Sequence, residues 1–392
     1  MLHNLAFAVE MATTLLALAG LGYYFAALVA TYLFLGAGRP SLAEPAPSVS
    51  ILKPLKGLDP AMLDAFRSHC RQQYPGEYEL IFGVSSLDDP AAAAVHQLQQ
   101  EFPGHAIRLI ECPQQFGTNR KVGVLIQLAP HALHQYLLIN DSDITVGPHY
   151  LERVISYFAP ARPLGSKRTL GIVTALYRGR AHGTLGSRLE AMGLSTDFHP
   201  AVLLARVVER GLRYALGSTL CVSREALASI GGLEVLADQL ADDYELGARI
   251  YAAGHGVALC DEPVETSVPD YRWRDFVDHQ LRWYRTVRDA RPAGYVGLIF
   301  THGFAWAVLN AIASGFSPVS LWLLAMVFFL RLTLATTAGI RVLRDHQLLS
   351  NLWLLPLRDL VAMGLWIAGF ASNEVVWRGE RFVVKNGRLI KA

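Results

Sequence analysis

The segment Leu5 to Leu35 is almost continuously apolar, with Glu10 as its only charge. A helix needs about 20 apolar residues to cross a bilayer, and this run exceeds that. No Lys or Arg precedes it, and no small-residue cleavage site follows before Arg39, so it reads as a retained anchor rather than a signal peptide. Two more spans are expected near the other end, Tyr295 to Phe316 and Val319 to Ile340, parted by Ser317-Pro318. A further candidate, Leu348 to Phe370, is interrupted by Arg358 and Asp359. Charge inside a membrane segment is costly unless paired or near an interface. The two residues therefore pair, or the piece is re-entrant or lies along the surface; a soluble core helix is the alternative. Polar chemistry is left to the residues between these ends.

That middle section, about residues 45 to 290, alternates strands and helices. "SVSILKPL", "YELIFGVSS", "AIRLIEC", "QYLLIND" and "LGIVTALY" read as short apolar strands, with helical stretches between them such as Pro90 to Phe102 and Lys121 to Gln135. The alternation predicts an α/β domain, a mostly parallel sheet with helices on both faces. Ligands in such sheets collect at the carboxyl ends of the strands. Charge is nearly balanced, Lys+Arg 35 against Asp+Glu 33, so no basic field points to nucleic acid. Cys70, Cys112, Cys221 and Cys260 are scattered and form no C-x-x-C pair, which fits a reducing compartment. The P-loop, the dinucleotide glycine fingerprint, H-E-x-x-H and G-x-S-x-G are all absent. His131 and His134 fall i, i+3 on an expected helix, without a carboxylate partner.

Carboxylates recur where those strands end. Asp88-Asp89-Pro90 follows "LIFGV", and Asp141-Ser142-Asp143 follows "YLLI". Asp242-Asp243 precedes an expected helix from Tyr244 to Ala253. Alternate residues of an extended chain point to one side, so Asp141 and Asp143 face the same way and repel unless a cation or proton offsets them. An isolated D-x-D is more often a solvated strand end. Pro90 is placed to start a helix after Asp89, and Asp242 or Asp243 to cap the next. Further on, "DHQLRWYRTVR" sets His279, Arg282 and Trp283 at i, i+3, i+4 on one helix face. Arg285, Arg288 and Arg291 continue that helix, which is also the pattern of a basic juxtamembrane helix at anionic headgroups.

In that order, Asp-Asp-Pro, D-x-D, Asp-Asp-Tyr and Arg-Trp beside a membrane span resemble the nucleotide-sugar glycosyltransferases of the GT-A fold. "SILKPLKGLDP" and "LADDYELG" are similar to the ceramide glucosyltransferase family, with its amino-terminal anchor and carboxyl-terminal spans. Among bacterial relatives, "RWYRTVRDARPAGYVG" and "VVWRGERF" resemble the hopanoid-biosynthesis-associated glycosyltransferases. The resemblance covers almost the whole chain.

It implies an inverting, metal-dependent transfer of N-acetylglucosamine or glucose from a UDP-sugar to a hydroxyl of a membrane lipid. Asp143, with Asp141 beside it, is implied to bind Mg²⁺ or Mn²⁺ bridging the donor diphosphate. Asp89, or Asp88, matches the residue that contacts uridine, while Asn119 and Lys121 would hold uracil or phosphate. Asp243 matches the catalytic base, and Asp242 beside it belongs with the substrate-binding residues. Arg282 would bind diphosphate and Trp283 pack on sugar or acceptor. The family usually carries Gln or Arg where His279 stands, and Ser86 replaces a frequent additional carboxylate.

The helix bearing Arg282 runs straight into the span at Tyr295, so the acceptor is expected to be a lipid alcohol at the bilayer surface, a hopanoid polyol by resemblance. "FHPAVLLARVV", Phe198 to Val208, is either a buried core helix or lipid-facing. The expected organisation is an anchor over residues 1–40, a GT-A domain over 45–291, membrane helices over 292–376 and a basic tail over 377–392. Arg39, Lys53 and Lys56 after the first span, and Arg282, Arg285, Arg288 and Arg291 before the second, place the domain in the cytoplasm of a bacterial inner membrane. Arg378, Arg381, Lys385, Arg388 and Lys391 would lie outside if Leu348 to Phe370 crossed, so that segment is expected not to cross fully and the tail to lie beside the catalytic domain. Alternatives are a ceramide glucosyltransferase, a processive polysaccharide synthase and, against the retained carboxylates, a non-enzymatic membrane scaffold.

Overall fold

The structure is a computed structural model that describes residues 2–59, 61–159, 168–377, 380–385 and 387–391. In chain order, α1 (Leu2–Leu35) leads into β1 (Val49–Pro54), α2 (Met62–Cys70), β2 (Tyr78–Val84), α3 (Pro90–Glu101), β3 (Ile107–Glu111), α4 (Arg120–Leu128), β4 (Tyr136–Ile139), β5 (Ile144–Thr145), α5 (Tyr150–Ser156) and β6 (Leu170–Arg180). Then come α6 (Leu185–Gly193), α7 (His199–Val208), β7 (Leu220–Ser223), α8 (Arg224–Ser229), α9 (Asp242–Ala252), β8 (Gly256–Ser267), α10 (Trp273–Ala290), α11 (Pro292–Gly297), α12 (Gly303–Ala313), α13 (Pro318–Thr336), α14 (Gln347–Asn351) and α15 (Leu355–Ala368). Strands β9 (Glu374–Trp377), β10 (Glu380–Lys385) and β11 (Arg388–Lys391) end the chain. The chain divides into two compact units.

The sheet unit comprises Gly38–Arg180 and Val208–Ser267. Its strands lie in the order β3-β2-β1-β4-β7-β6-β8-β5. β3, β2, β1 and β4 are parallel, as expected, whereas β7 and β5 run antiparallel to their neighbours. Consecutive residues of a strand face opposite ways, so the sheet feeds two cores. Ile51, Leu80, Phe82 and Leu138 enter one; Leu52, Ile81, Leu137 and Ile139 enter the other. A sheet covered on both faces needs unbroken apolar strands, which is why β1, β2 and β4 were readable. β8, "GVALCDEPVETS", is largely buried, but its apolar run is broken by Asp261, Glu262, Pro263 and Glu265, and the sequence reading missed it. The helix expected over Lys121 to Gln135 ends sooner, at Leu128, followed by a 3₁₀ turn at Ala129–His131. Pro130 and the following bend take His134 off any helix, so the i, i+3 His pair does not form.

The helical unit comprises Met1–Ala37, Ala181–Val207 and Val268–Ala392. The stretch expected as one domain over 45–291 thus contributes to both units. Among the described residues, three helices are long and apolar enough to cross a membrane: Asn4–Leu35, Pro318–Val342 and Gln347–Ala368. The span expected over Tyr295 to Phe316 is broken instead; Pro292–Thr301 and Gly303–Ala313 meet at 54°. Gly303 meets Gly20 of α1 at that corner, and a Cβ on Gly303 would sit 2.9 Å from the Gly20 Cα. Small residues permit this backbone approach. Tyr24 then accepts the Phe304 N–H through its hydroxyl at 3.2 Å, and Asn310 donates to Thr14 at 2.7 Å.

Arg358 and Asp359 do not pair with each other, nor do they lie on the surface. Both are buried; Asp359 is bound by Arg331, and Arg358 by Asp197. The residues read as a tail form an antiparallel sheet in the order β11-β10-β9. Arg285 on α10 donates to the Glu374 carbonyl at 2.5 Å, and Arg288 to that of Ser372 at 2.9 Å. Two of the basic residues read as a juxtamembrane face are therefore bound to the C-terminal segment. Arg378 lies outside the described residues.

Candidate active site

Parallel strands β2, β1 and β4 end on one edge of the sheet, and the sheet unit gathers its carboxylates there. Asp89 caps α3, accepting from the Ala91 N–H at 2.9 Å with Pro90 in the first turn. The same carboxylate accepts from the Gly57 N–H at 2.9 Å, which ties the loop after β1 to the loop after β2. Asp88 is exposed, and its backbone N–H donates to Ser86 Oγ at 3.2 Å.

The D-x-D turn follows β4. Ser142 donates to Asp59, and Thr266 on β8 donates to Asp143. Burial first, and then the charge of Asp141, pushes the Asp143 carboxyl up to about 6. Beneath the turn, Asn140 donates to the Ser218 carbonyl at 2.7 Å and to Tyr150 at 3.0 Å, while His69 sits 3.3 Å from its Oδ1. A buried polar network satisfied in this way rigidifies its members, here fixing where Asp141 begins.

Lys121 joins the D-x-D to the Asp-Asp pair. Its Nζ lies 2.8 Å from Asp141 and 3.5 Å from Asp242. Burial works against its charge, but Asp141, Asp242 and Asp243 outweigh it and hold the ammonium protonated. Asn119, fully buried, caps α4 by accepting from the Val122 N–H at 3.2 Å and donates to the Gln239 carbonyl at 2.8 Å. It also lies 3.3 Å from Asp242. The loop before it is laced to the same segment: Thr118 N–H donates to Asp238 at 2.9 Å, and Gly117 has φ +63 where its Cβ would overlap the Ala237 backbone. Only Gly adopts this conformation without strain.

Neither Asp242 nor Asp243 caps α9, contrary to expectation. Ala241 is the cap position, and both carboxylates lie in the first turn. Negative charge there is favoured by the helix dipole. Burial, and then the like charge of Asp242, pushes the Asp243 carboxyl up to about 6. Two glycines make room for it. A Cβ on Gly217 would sit 2.9 Å from Asp243 Oδ2, and one on Gly247 would be 2.5 Å from the Tyr214 carbonyl carbon, so α9 lies on that backbone.

Sequence reasoning missed Lys53. This residue lies in β1, fully buried, and its Nζ donates to the Asp141 carbonyl at 3.0 Å. Burial brings its ammonium down to about 7, against the pull of Asp143 and Asp141. A lone Lys within "SILKPL" was the available signal; it had been counted only as a charge flanking the first span. Thr266 and Gly217 carried no local signal.

In the helical unit, α10 carries His279, Arg282 and Trp283 as expected from their spacing. Glu190 on α6, buried, holds His279 Nδ1 at 2.9 Å and the Gln280 amide at 3.1 Å. Tyr271 stacks on His279 with ring centroids 5.4 Å apart, and His279 lies 5.3 Å from Trp283. His279 is thus held from both sides, while Arg282 and Trp283 are half-buried.

The sequence profile of glycosyl transferase family 21 matches residues 12–390. Ceramide glucosyltransferase 3 of Caenorhabditis elegans is 23% identical over 350 residues, covering 86% of this chain and 72% of the relative. Ceramide glucosyltransferase 1 of the same organism is 21% identical over 355 residues, 88% and 73% of the two chains. The solved structure of a mannosyltransferase from Pyrobaculum calidifontis, in complex with GDP-Man and Mn²⁺, superposes with a TM-score of 0.56 at 20% identity, over 93% of this chain and 98% of that one. The fold is therefore GT-A-like. With a family profile that runs nearly end to end, the chain belongs to glycosyl transferase family 21 and is a glycosyltransferase of the ceramide glucosyltransferase-like kind.

Proposed function

We propose that this glycosyltransferase moves a hexose, N-acetylglucosamine or glucose, from a UDP-sugar to the hydroxyl of a membrane lipid with inversion at the anomeric carbon. The observation that carries the reading is the Asp243 carboxyl, held near 6 on a first helical turn beside the D-x-D cluster. A base poised just below neutrality suits proton abstraction at cellular pH. In this reading Asp243 takes the acceptor proton as that oxygen attacks from the face opposite UDP. Lys121, already charged, neutralises phosphate and orients Asp141, and Asn119 acts by positioning Asp242. Asp89 or Asp88 contacts the uridine, Arg282 binds the diphosphate, and Trp283 packs on the sugar or acceptor.

The donor set fits a divalent cation. Asp141 and Asp143 offer oxygen only, and burial, then the charge of Asp141, raises the Asp143 carboxyl in a way an added positive charge would relieve. Among the described residues no group of three or more His, Cys, Asp or Glu side chains forms a cage, and Mg²⁺ or Mn²⁺ is commonly held by one or two carboxylates plus substrate phosphates. Asp143, with Asp141, would hold it, and the ion would supply charge stabilisation to the departing diphosphate.

For the acceptor we favour a hopanoid polyol, on the motifs before and after the C-terminal spans. Ceramide is the second reading, favoured by the names of the two nematode relatives. Cysteines that are free and buried agree with a cytoplasmic catalytic domain on a bacterial inner membrane. The purified protein, incubated with a panel of UDP-sugars and lipid alcohols, tests this through mass spectrometry of the products. A glycosylated hopanoid polyol, lost with chelator and restored by Mn²⁺ or Mg²⁺, is expected. Full activity in excess chelator would remove the metal from the account.

A further inference from the structure

A second group of charged side chains lies among the apolar helices of the helical unit. Arg331 on α13 is 1% exposed. It donates to Asp359 at 2.7 Å, to the Thr196 carbonyl at 2.9 Å, and to Asp197. Arg358 lies beside Asp359 in the chain but binds elsewhere. Its Nη2 is 3.1 Å from Asp197 Oδ2, and its guanidinium packs on Gly193, where a Cβ would sit 2.6 Å from Nε. Tyr284 on α10 interacts with the same guanidinium.

This group is not fully paired. Among the described residues, Arg358 Nε and Nη1 and His302 Nε2 are buried with no hydrogen-bond partner, and Asp197 Oδ2 has the Arg358 ion pair as its contact. Arg358 is 4% and His302 7% exposed. Buried polar groups left without partners are rare because each forfeits its bonds to water. His302 stands at the corner between α11 and α12, within electrostatic reach of Asp197 and Arg358. The segment that carries Asp197, Leu194–Phe198, is a π-helix, a distortion frequent at functional sites. Its Phe198 ring lies 6.5 Å from Trp283. The unsatisfied atoms therefore adjoin the Arg-Trp helix within this unit.

The chemistry of a ligand follows from charge. Arg331 and Arg358 are balanced by Asp197 and Asp359. A phosphate or an ammonium would leave a net charge buried, which is strongly unfavourable. A neutral group that both accepts, from Arg358, and donates, to Asp197, fits that balance; hydroxyls and amides do both, and on a lipid alcohol that group is the hydroxyl. Ionisable residues among membrane helices are costly and mark functional sites.

We infer that Arg358, Asp197 and His302 form the headgroup subsite for a neutral, hydroxyl-bearing lipid. The inference rests on the reading of the acceptor as a lipid alcohol and names the residues that would hold it. The full chain in detergent is tested by native mass spectrometry with 1-O-hexadecylglycerol, hexadecyl phosphate and hexadecyltrimethylammonium, which share one chain length. The glycerol ether should bind in preference to both charged amphiphiles. Arg358→Lys, which keeps the charge and loses the guanidinium fork, and His302→Phe, which keeps a ring, should each weaken it about tenfold, the size of one hydrogen bond to a charged or buried partner. Unfolding temperature reports on fold, and if Arg358→Lys does not fold, His302→Phe decides. Unchanged binding in the folded variants, or preference for a charged amphiphile, overturns the subsite. UDP-sugar binding and transfer are followed on the same preparations. Transfer to lipid with unchanged binding in the variants defeats the subsite alone, whereas no transfer to any lipid alcohol defeats the functional reading alone.

Discussion

Two clusters of charge are built into this chain, and their balance differs. In the sheet unit, Asp59, Asp141, Asp143, Asp242 and Asp243 are gathered, with Lys53 and Lys121 among them. In the helical unit, Arg331 and Arg358 meet Asp197 and Asp359 one for one. The first cluster is short of positive charge and half-open. Burial, and then like charge, raises the carboxyls of Asp143 and Asp243. The second is balanced and more deeply buried, with Asp197 its most exposed member. Excess negative charge calls for a cation and a base; balanced charge in an apolar surrounding calls for structure and a neutral ligand. Removing one charge should therefore damage chemistry in the first cluster and folding in the second.

The largest effect is expected at Asp243. Asp243→Asn keeps the shape and removes the proton acceptor, so turnover should fall roughly 10²–10⁴-fold with donor binding little changed. Titration of the native protein gives the sign. The base works only when ionised, so turnover should rise with pH through about 6 and level off above it. An acid limb absent from the profile, with Asp243→Asn active, would return the Asp-Asp pair to a structural role.

Next is the pair proposed to hold a metal, Asp141 and Asp143. Asp143→Asn should cost about 10²-fold or more in turnover, because a bound cation supplies several kcal/mol of transition-state charge stabilisation. The loss should appear as cation-dependent UDP-sugar binding in calorimetry, with the unfolding temperature held. A variant that binds donor normally without added cation would separate the D-x-D from metal.

The helical cluster should respond in the opposite way. Asp359→Asn leaves Arg331 with less compensation, and breaking a buried pair costs about 3–5 kcal/mol. Thermal unfolding should show it. Replacing both Arg331 and Asp359 with Met and Leu should recover much of the stability, as apolar exchange of a whole buried pair often does. Stability unchanged by Asp359→Asn would mean Asp197 alone satisfies Arg331.

The smallest effect expected is steric. Gly217→Ala places a methyl 2.9 Å from Asp243 Oδ2 and should shift that carboxylate. Misplacement by about 1 Å costs up to about 10²-fold, so a loss of roughly tenfold in kcat is expected, with the donor KM unchanged. Equal activity would show that Asp243 has room to move.

The sequence announced much of the first cluster and little of the second, for a physical reason. Asp141, Asp143 and Asp89 sit at the ends of strands buried on both faces, and such strands are unbroken apolar runs with sharp ends. Asp89 with Pro90 is a local capping signal, and the structure uses it. Lys53 was visible as a lone charge in an apolar strand, but its partner is a carbonyl 88 residues away. Arg331, Asp197 and Arg358 depend on contacts between segments far apart in the chain, so no spacing reveals them. The corner at His302 escaped because its cause is the meeting of Gly303 with Gly20. β10 and β11 were read as a tail because their basic residues masked a short alternating pattern, and most of β9 was read into the membrane helices before it.

The central claim is a single displacement driven by Asp243, and the anomeric configuration of the product tests it most directly. With an α-linked UDP-sugar and a lipid alcohol, NMR of the isolated glycolipid should show a β linkage. An α linkage would mean retention, which in-line attack from the face opposite UDP cannot give, and would contradict the account.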